Sequence, residues 1–301
     1  MARPVQDSRR ALVFALLGFA TLATGDVVVK TMAGEWPASA VAALRWVIGA
    51  SALAAITLGR HGAGALAMPR PWLQAGRGAA VAIASLCFFT AIHLMPLADA
   101  MAIVFTSPML TALFSALVLR ERVQRAAWVS IALAFAGVLA VLRPNLLALG
   151  WPALLPLVAA VGMAVLFLLN RKAAGLAPPI AMQLYLAIWA APVLLIAAVA
   201  GHVSGVLPVP APEASIVARV ALVALAATTG HLFIYKATEL ASAATIAPMT
   251  YVQMLIAVAA GMAMFGDDPT PATLAGAALI IGGGLVLWRA QRPREADVSR
   301  D

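Results

Sequence analysis

Apolar residues run along this chain in stretches of about twenty, each closed by a short polar or proline-bearing break. Ten stretches predict ten helices, near Ala11–Met32, Ala38–Leu58, Gly78–Leu94, Ala98–Leu119, Ala126–Leu142, Trp151–Asn170, Ile180–Ala200, Ile216–Tyr235, Ala243–Met264 and Thr270–Trp288. Crossing a bilayer takes about 20 residues of helix, so each can span it once. Trp36-Pro37, Met95-Pro96-Leu97, Pro144-Asn145, Pro178-Pro179 and Asp267-Asp268-Pro269 mark short breaks, and His61–Pro71 and His202–Pro212 are the longer connections.

The pattern repeats. Phe89-x-Ala91-x-x-Leu94-x-x-x-Ala98 returns as Tyr235-x-Ala237-x-x-Leu240-x-x-x-Ala244. The same register carries Phe105 onto Tyr251, Glu121 onto Asp267, Gly137 onto Gly283 and Arg143 onto Arg289 without a gap. Lys30 and Pro37 find fainter counterparts in Lys172 and Pro179 at a slightly smaller offset. Five spans separate equivalent points, so the second copy is inverted in the bilayer. The reading is an all-α membrane protein of ten transmembrane helices in two five-helix inverted repeats, the architecture of secondary transporters, with a substrate site between the halves. The expected divisions are a cytoplasmic segment 1–10, a first repeat 11–144, a second repeat 145–290 and a polar cytoplasmic tail 291–301.

Composition fits the pattern: 63% of the residues are hydrophobic and 11% charged, with a mean hydropathy of +0.98, leaving almost nothing for a soluble domain. The net charge of +8 would raise nucleic acid as a partner in a soluble protein. Here the cations lie between spans and report topology. With the N-terminus inside, sixteen Lys and Arg fall on the inner side, and Lys30, Arg45, Arg143 and Arg219 are left to the outer half. Both termini are then cytoplasmic, in a multi-pass protein of a bacterial-type inner membrane. Arg9-Arg10 ahead of an apolar run resembles a signal peptide, but the run continues past Val29 and reads as an uncleaved first span. Cys87 is the single cysteine, so no intrachain disulfide and no cysteine-based metal site is expected.

Ionisable groups inside a span are costly and so are candidates for function. Thr228, His231, Tyr235 and Glu239 fall on one line of the eighth span and predict a polar stripe facing a cavity. The plainer reading is that Glu239 and Lys236 only end the helix at the interface. Thr90 and His93 lie near the outer end of the third span, where His93 is a gate, a proton-sensitive contact or an interfacial histidine. Asp26 and Lys30 have the spacing and order of an intrahelical ion pair, and Asp26 is a candidate for a substrate ammonium or a coupling proton. Arg45 is read as reaching the outer interface or pairing with Glu35. Pro108 and Pro248 each remove a helical hydrogen bond and predict kinks in spans four and nine, beside Phe105, Thr106, Ser107, Thr250, Tyr251 and Gln253. Trp46, Tyr185 and Trp189 are cavity or belt residues.

The chain holds no phosphate loop, HExxH pattern or nucleophile elbow, so no cofactor, no metal and no enzymatic chemistry are expected. Two five-span inverted repeats, Arg120-Glu121 closing the fourth span and Thr250-Tyr251-Val252-Gln253 entering the ninth resemble the drug/metabolite transporter superfamily, in particular its EamA branch. Within that branch the chain looks most like the YddG-type amino-acid exporters. It departs where Met254 stands in place of the family's usual proline, and in Asp267 for a closing Glu. The resemblance implies a basket-shaped bundle with a central cavity lined by spans 1, 3, 4, 6, 8 and 9. It implies export of aromatic and other neutral amino acids or related small metabolites by alternating access. Thr90, Phe105, Thr106, His231, Tyr235, Tyr251 and Gln253 would contact substrate, and Asp26, His93, Pro108, Glu239 and Pro248 would couple or gate. The remaining alternatives are a multidrug or nucleotide-sugar permease of the same fold and, remotely, a membrane-embedded enzyme acting on lipids. The expected partners are a small-molecule substrate and the bilayer, with no nucleic acid; the oligomeric state is open and a monomer is compatible.

Overall fold

A computed structural model describes residues 5–119, 125–173, 175–240 and 247–291. Among these residues all regular structure is helical. The helices are α1 (Val5–Lys30), α2 (Ala38–His61), α3 (Pro71–Leu94), α4 (Leu97–Val104), α5 (Ser107–Leu119), α6 (Arg125–Leu149), α7 (Leu155–Ala173), α8 (Pro179–Val203), α9 (Ala214–Leu240), α10 (Val252–Ala260) and α11 (Pro271–Gln291). Among the described residues, eight stretches are long and apolar enough to cross a membrane, and two shorter apolar ones, Met249–Phe265 and Pro271–Val286, accompany them, in keeping with ten spans.

Span four consists of two half-helices, α4 and α5, and the described part of span nine of the 3-10 turn Ala247–Tyr251, α10 and a π-helical turn Gly261–Phe265. The breaks fall at equivalent places, after Phe105 and after Tyr251. Pro108 does not kink a helix interior as expected. Pro108 is the second residue of α5, and Pro248 is the second residue of its 3-10 turn. Pro108 thus occupies a first turn, where an N–H has no helical partner to lose. The span-four break is instead closed by the Thr106 hydroxyl, which donates to the Ile103 carbonyl at 2.7 Å.

Two helix ends also differ from expectation. α3 begins at Pro71 rather than near Gly78, because Gln74 and Arg77 are buried and hydrogen-bonded rather than lying in a loop. α6 runs through Pro144 to Leu149 instead of stopping near Leu142. A proline at 144 lacks the N–H that would seal the preceding turn, and the Asn145 side-chain amide donates to the Val141 carbonyl at 2.9 Å.

α1 packs on α9, α3 on α7, α2 on α8 and α6 on α11. Exchange of the halves carries α1–α9 onto α7–α3 and carries α2–α8 and α6–α11 onto themselves. Close approaches obey the same exchange. A Cβ on Gly137 would lie 2.6 Å from the Gly276 carbonyl oxygen, and one on Gly283 would lie 2.9 Å from that of Ser130. The repeat register maps Gly137 onto Gly283 and Ser130 onto Gly276, so these are one contact seen twice. Small residues let the backbones come this close where lipid supplies no hydrophobic drive between helices.

Candidate functional site

The bundle has two faces. One carries the ends of α1, α3, α6 and α8 and the starts of α2, α4, α7, α9 and α11, and is called the Lys30 face. The opposite one is the Arg77 face. α1 and α2 each pack on α3 and on α9, and the region between these four helices is called the crevice. Asp26 from α1, Arg45 from α2 and His231 from α9 belong to it: Asp26 and Arg45 are half-buried, His231 is exposed, and Arg45 lies within Coulombic reach of the other two. The Arg45 guanidinium sits 4.9 Å from the centre of the Trp46 ring and 5.4 Å from that of Phe89. Trp46 is itself held by donating its indole N–H to the Ser85 hydroxyl at 3.2 Å. A cation stacked on two rings, an acid and an imidazole thus share one apolar crevice.

The expected ion pairs are replaced. Asp26 does not pair with Lys30, and Arg45 neither pairs with Glu35 nor turns outward. Lys30 reaches across to the second half, donating to Asp267 Oδ2 at 2.5 Å and to the Met95 carbonyl at 3.1 Å, with its ammonium 5.0 Å from the centre of the Phe265 ring. Its relative exposure is 9%, and the desolvation cost of burying the ammonium is offset by the carboxylate, carbonyl and ring face that meet it there, three partners the intrahelical pair does not supply. Glu35, on the turn between α1 and α2, pairs with Arg219 of α9, accepting from Nη1 at 3.1 Å and from Nη2, while Nη1 also donates to the Thr31 carbonyl at 3.0 Å. The hydrogen bonds from Arg219 hold the Glu35 carboxyl below its usual value of 4.5. Since Glu35 is half exposed, water screens much of that interaction.

The other residues singled out from the sequence are spread over several helices. Phe105 and Tyr251 meet edge to face, with ring centres 6.2 Å apart. Thr90 is half-buried and donates to the Leu86 carbonyl at 2.8 Å, and Gln253 accepts from the Thr250 hydroxyl at 3.2 Å, so both are held by their own helical turns. The His93 ring is tied through Nε2 to the Val29 carbonyl at 3.2 Å, joining α3 to α1 beside Lys30. Pro108 is exposed. The side chains of Tyr235, Glu239 and Pro248 lie outside the described residues, as does Glu121.

Two buried polar clusters escape sequence reading. Asp99, 6% exposed in the first turn of α4, accepts from Asn145 Nδ2 at 2.7 Å and from Thr273 Oγ1 at 2.6 Å, joining α4 and α6 to α11. At the other face Arg77, 4% exposed, donates to Asn170 Oδ1 at 2.6 Å, to Gln74 Oε1 and to the Met182 carbonyl at 3.3 Å, tying α3 to α7 and α8. Asn145 lies close behind a proline at a span end and reads as loop, Asp99 falls at the start of the expected fourth span and carries no motif, and Arg77 reads as one more interfacial cation. Tyr185 is buried rather than in a belt, its hydroxyl donating to the Ala67 carbonyl at 3.3 Å. Among the described residues no group of His, Cys, Asp and Glu has the arrangement of a metal site.

Comparison with known proteins places this geometry. The chain is 27% identical over 285 residues to the riboflavin transporter of Rhizobium johnstonii, covering 94% of this chain and 91% of that protein. It is 24% identical over 272 residues to the S-adenosylmethionine uptake transporter of Rickettsia prowazekii, with 90% of each covered. It is 25% identical over 291 residues to the pseudopaline exporter CntI of Pseudomonas aeruginosa, covering 94% of this chain and 98% of that one. A solved crystal structure superimposes with a TM-score of 0.61 at 21% identity over 94% of this chain and 99% of the other, a likeness of fold. The sequence profile of the EamA-like transporter family matches twice, at residues 9–143 and 150–289, one match for each half of the bundle. The chain therefore belongs to the EamA-like transporter family.

Proposed function

We propose that this multi-pass membrane transporter exports neutral and aromatic amino acids, or small metabolites bearing an amino-acid group, by alternating access. The observation that carries the reading is the crevice in which Asp26 and Arg45 present opposite charges beside Trp46 and Phe89. A zwitterion offers a carboxylate to the guanidinium and an ammonium to the carboxylate, while an apolar or aromatic side chain packs on the rings. The relatives are named for S-adenosylmethionine, riboflavin and pseudopaline, all small metabolites, and S-adenosylmethionine itself bears an α-amino carboxylate. His231 and, by its repeat position, Tyr235 extend the polar wall. Phe105, Thr106, Tyr251 and Gln253 form the floor beside the two helix breaks, Thr90 also contacts substrate, and His93, Glu239, Pro108 and Pro248 act in gating or coupling.

In this reading the two halves meet at 144/145, both termini are cytoplasmic, and the membrane is a bacterial inner membrane. The bias of basic residues supports that orientation even with the buried Arg77 removed from the inner set. The test is a panel of labelled phenylalanine, tryptophan, leucine, S-adenosylmethionine and riboflavin on liposomes reconstituted with the protein. Movement of the amino acids, reduced by Asp26→Asn and by Arg45→Gln, is expected. Transport of riboflavin alone would replace this reading with one in which Trp46 and Phe89 stack a flat ring and the charges serve structure. A run with and without a proton gradient decides whether Asp26, His93 and Glu239 couple transport to protons.

A further inference from the structure

We propose that Lys30 is a two-position latch: its ammonium holds the Lys30 face shut on Asp267 and, as that face opens, shifts one helical turn inward to Asp26. The proposal rests on the transport reading above and adds the residue that ties gate to substrate.

Everything that holds Lys30 in this structure belongs to segments that must part for the Lys30 face to open. Asp267 and the Phe265 ring come from the end of span nine in the second half, and the Met95 carbonyl comes from the turn between α3 and α4. A buried ammonium that loses these partners needs another acceptor, because an uncompensated charge away from water is strongly unfavourable. α1 carries one at the right place. Asp26 lies four residues before Lys30, on the same side of the helix and in the orientation that favours an intrahelical pair. In the closed arrangement Asp26 faces Arg45 across the crevice instead. The remaining ionisable neighbour, His93, is tied to Val29.

The exchange links gate and cargo through one carboxylate. A substrate ammonium on Asp26 occupies the inward position and leaves Lys30 on Asp267, so a loaded crevice keeps this face shut. When Lys30 does turn inward, it competes with that ammonium for Asp26 while the path toward the Lys30 face is open. Release to that side results from the competition of two cations for one acid.

The test uses accessibility as well as transport. In a Cys87→Ser background, Met95→Cys places a thiol where the side chain is buried with the face closed. In detergent, labelling of this thiol by a bulky maleimide reports opening without any substrate. Asp267→Asn is expected to raise the labelling rate about tenfold, as loss of the closing pair shifts the population toward open. Asp26→Asn is expected to slow it below the parent, since the open state loses its acceptor. The swap Lys30→Asp with Asp267→Lys is expected to restore slow labelling, which also shows that the variant folds, and yet to abolish transport, because an acid at position 30 repels Asp26. Parental labelling in Asp267→Asn, or full transport by the swapped protein, overturns the latch. The expected labelling pattern in a protein that moves no amino acid leaves the latch standing and removes the substrate reading.

Discussion

Asp26 lies between two cations that compete for it, Arg45 across the crevice and Lys30 one turn along its own helix. The arginine does more than supply charge, because its planar guanidinium lies over Trp46 and Phe89. Arg45→Lys keeps the charge and loses the stacked plane, so uptake should fall less than in Arg45→Gln but stay well below the parent. Equal activity of Arg45→Lys and the parent in the liposome assay would assign the residue a purely electrostatic role. Glu35 offers a check on pH. Its carboxyl is held below the ordinary value in the folded protein, so its pairing with Arg219 stabilises fully above pH 4.5 and is lost as pH falls through the lower folded value. Glu35→Gln should remove that part of the acid-side decline in thermal stability and change little at pH 7, where the pair is exposed and weak; unchanged acid sensitivity in the variant would count against it. Asp26, His93 and His231 were legible as candidates because an ionisable residue stands out inside an apolar stretch. Their partners were not, since sequence spacing reveals neighbours on one helix and the pairs of Lys30, Arg45 and Glu35 all cross between helices.

At the scale of elements, close helix packing can be tested directly. A Cβ on Gly276 would lie 2.5 Å from Val141 Cγ2 and 2.6 Å from the Gly137 carbonyl, whereas one on Gly282 in the same helix meets nothing within 4 Å. Gly276→Ala should therefore destabilise by about 1–3 kcal/mol, since α6 and α11 must move apart. Gly282→Ala should stay within about 1 kcal/mol of the parent or gain slightly from helix propensity. Thermal unfolding of the purified variants measures both, and equal midpoints would mean that the crossing relaxes. The ten spans were readable because lipid demands long apolar runs. Helix ends were less so: a proline with polar company reads as a boundary, yet α6 continues through Pro144, and the side-chain bond from Asn145 to the Val141 carbonyl in that stretch is one that pattern alone does not reveal. The break in span four was expected from Pro108, yet the chain parts at Phe105–Thr106 and Pro108 sits in the first turn of α5; in span nine the described helix changes from 3-10 to α after Tyr251.

For the whole molecule, inversion makes a prediction about sidedness. Arg143 and Arg289 occupy equivalent positions and are both exposed. In a Cys87→Ser background, cysteines at 143 and 289 should react with an impermeant maleimide from opposite sides of an oriented membrane vesicle, with 289 on the cytoplasmic side. Labelling of both from one side would refute the inverted arrangement in the bilayer. The pair Phe105 and Tyr251 has a different standing, because each ring is the other's image under the exchange of halves. When the halves trade roles, a contact on the symmetry axis returns as itself, edge and face interchanged, and its energy is nearly the same at both ends of the cycle. Such a contact serves as a fulcrum: it can hold the two lobes together through the stroke without biasing the resting position. Whatever tilts this protein toward one side of its membrane must then reside off the axis, in features one lobe has and the other lacks.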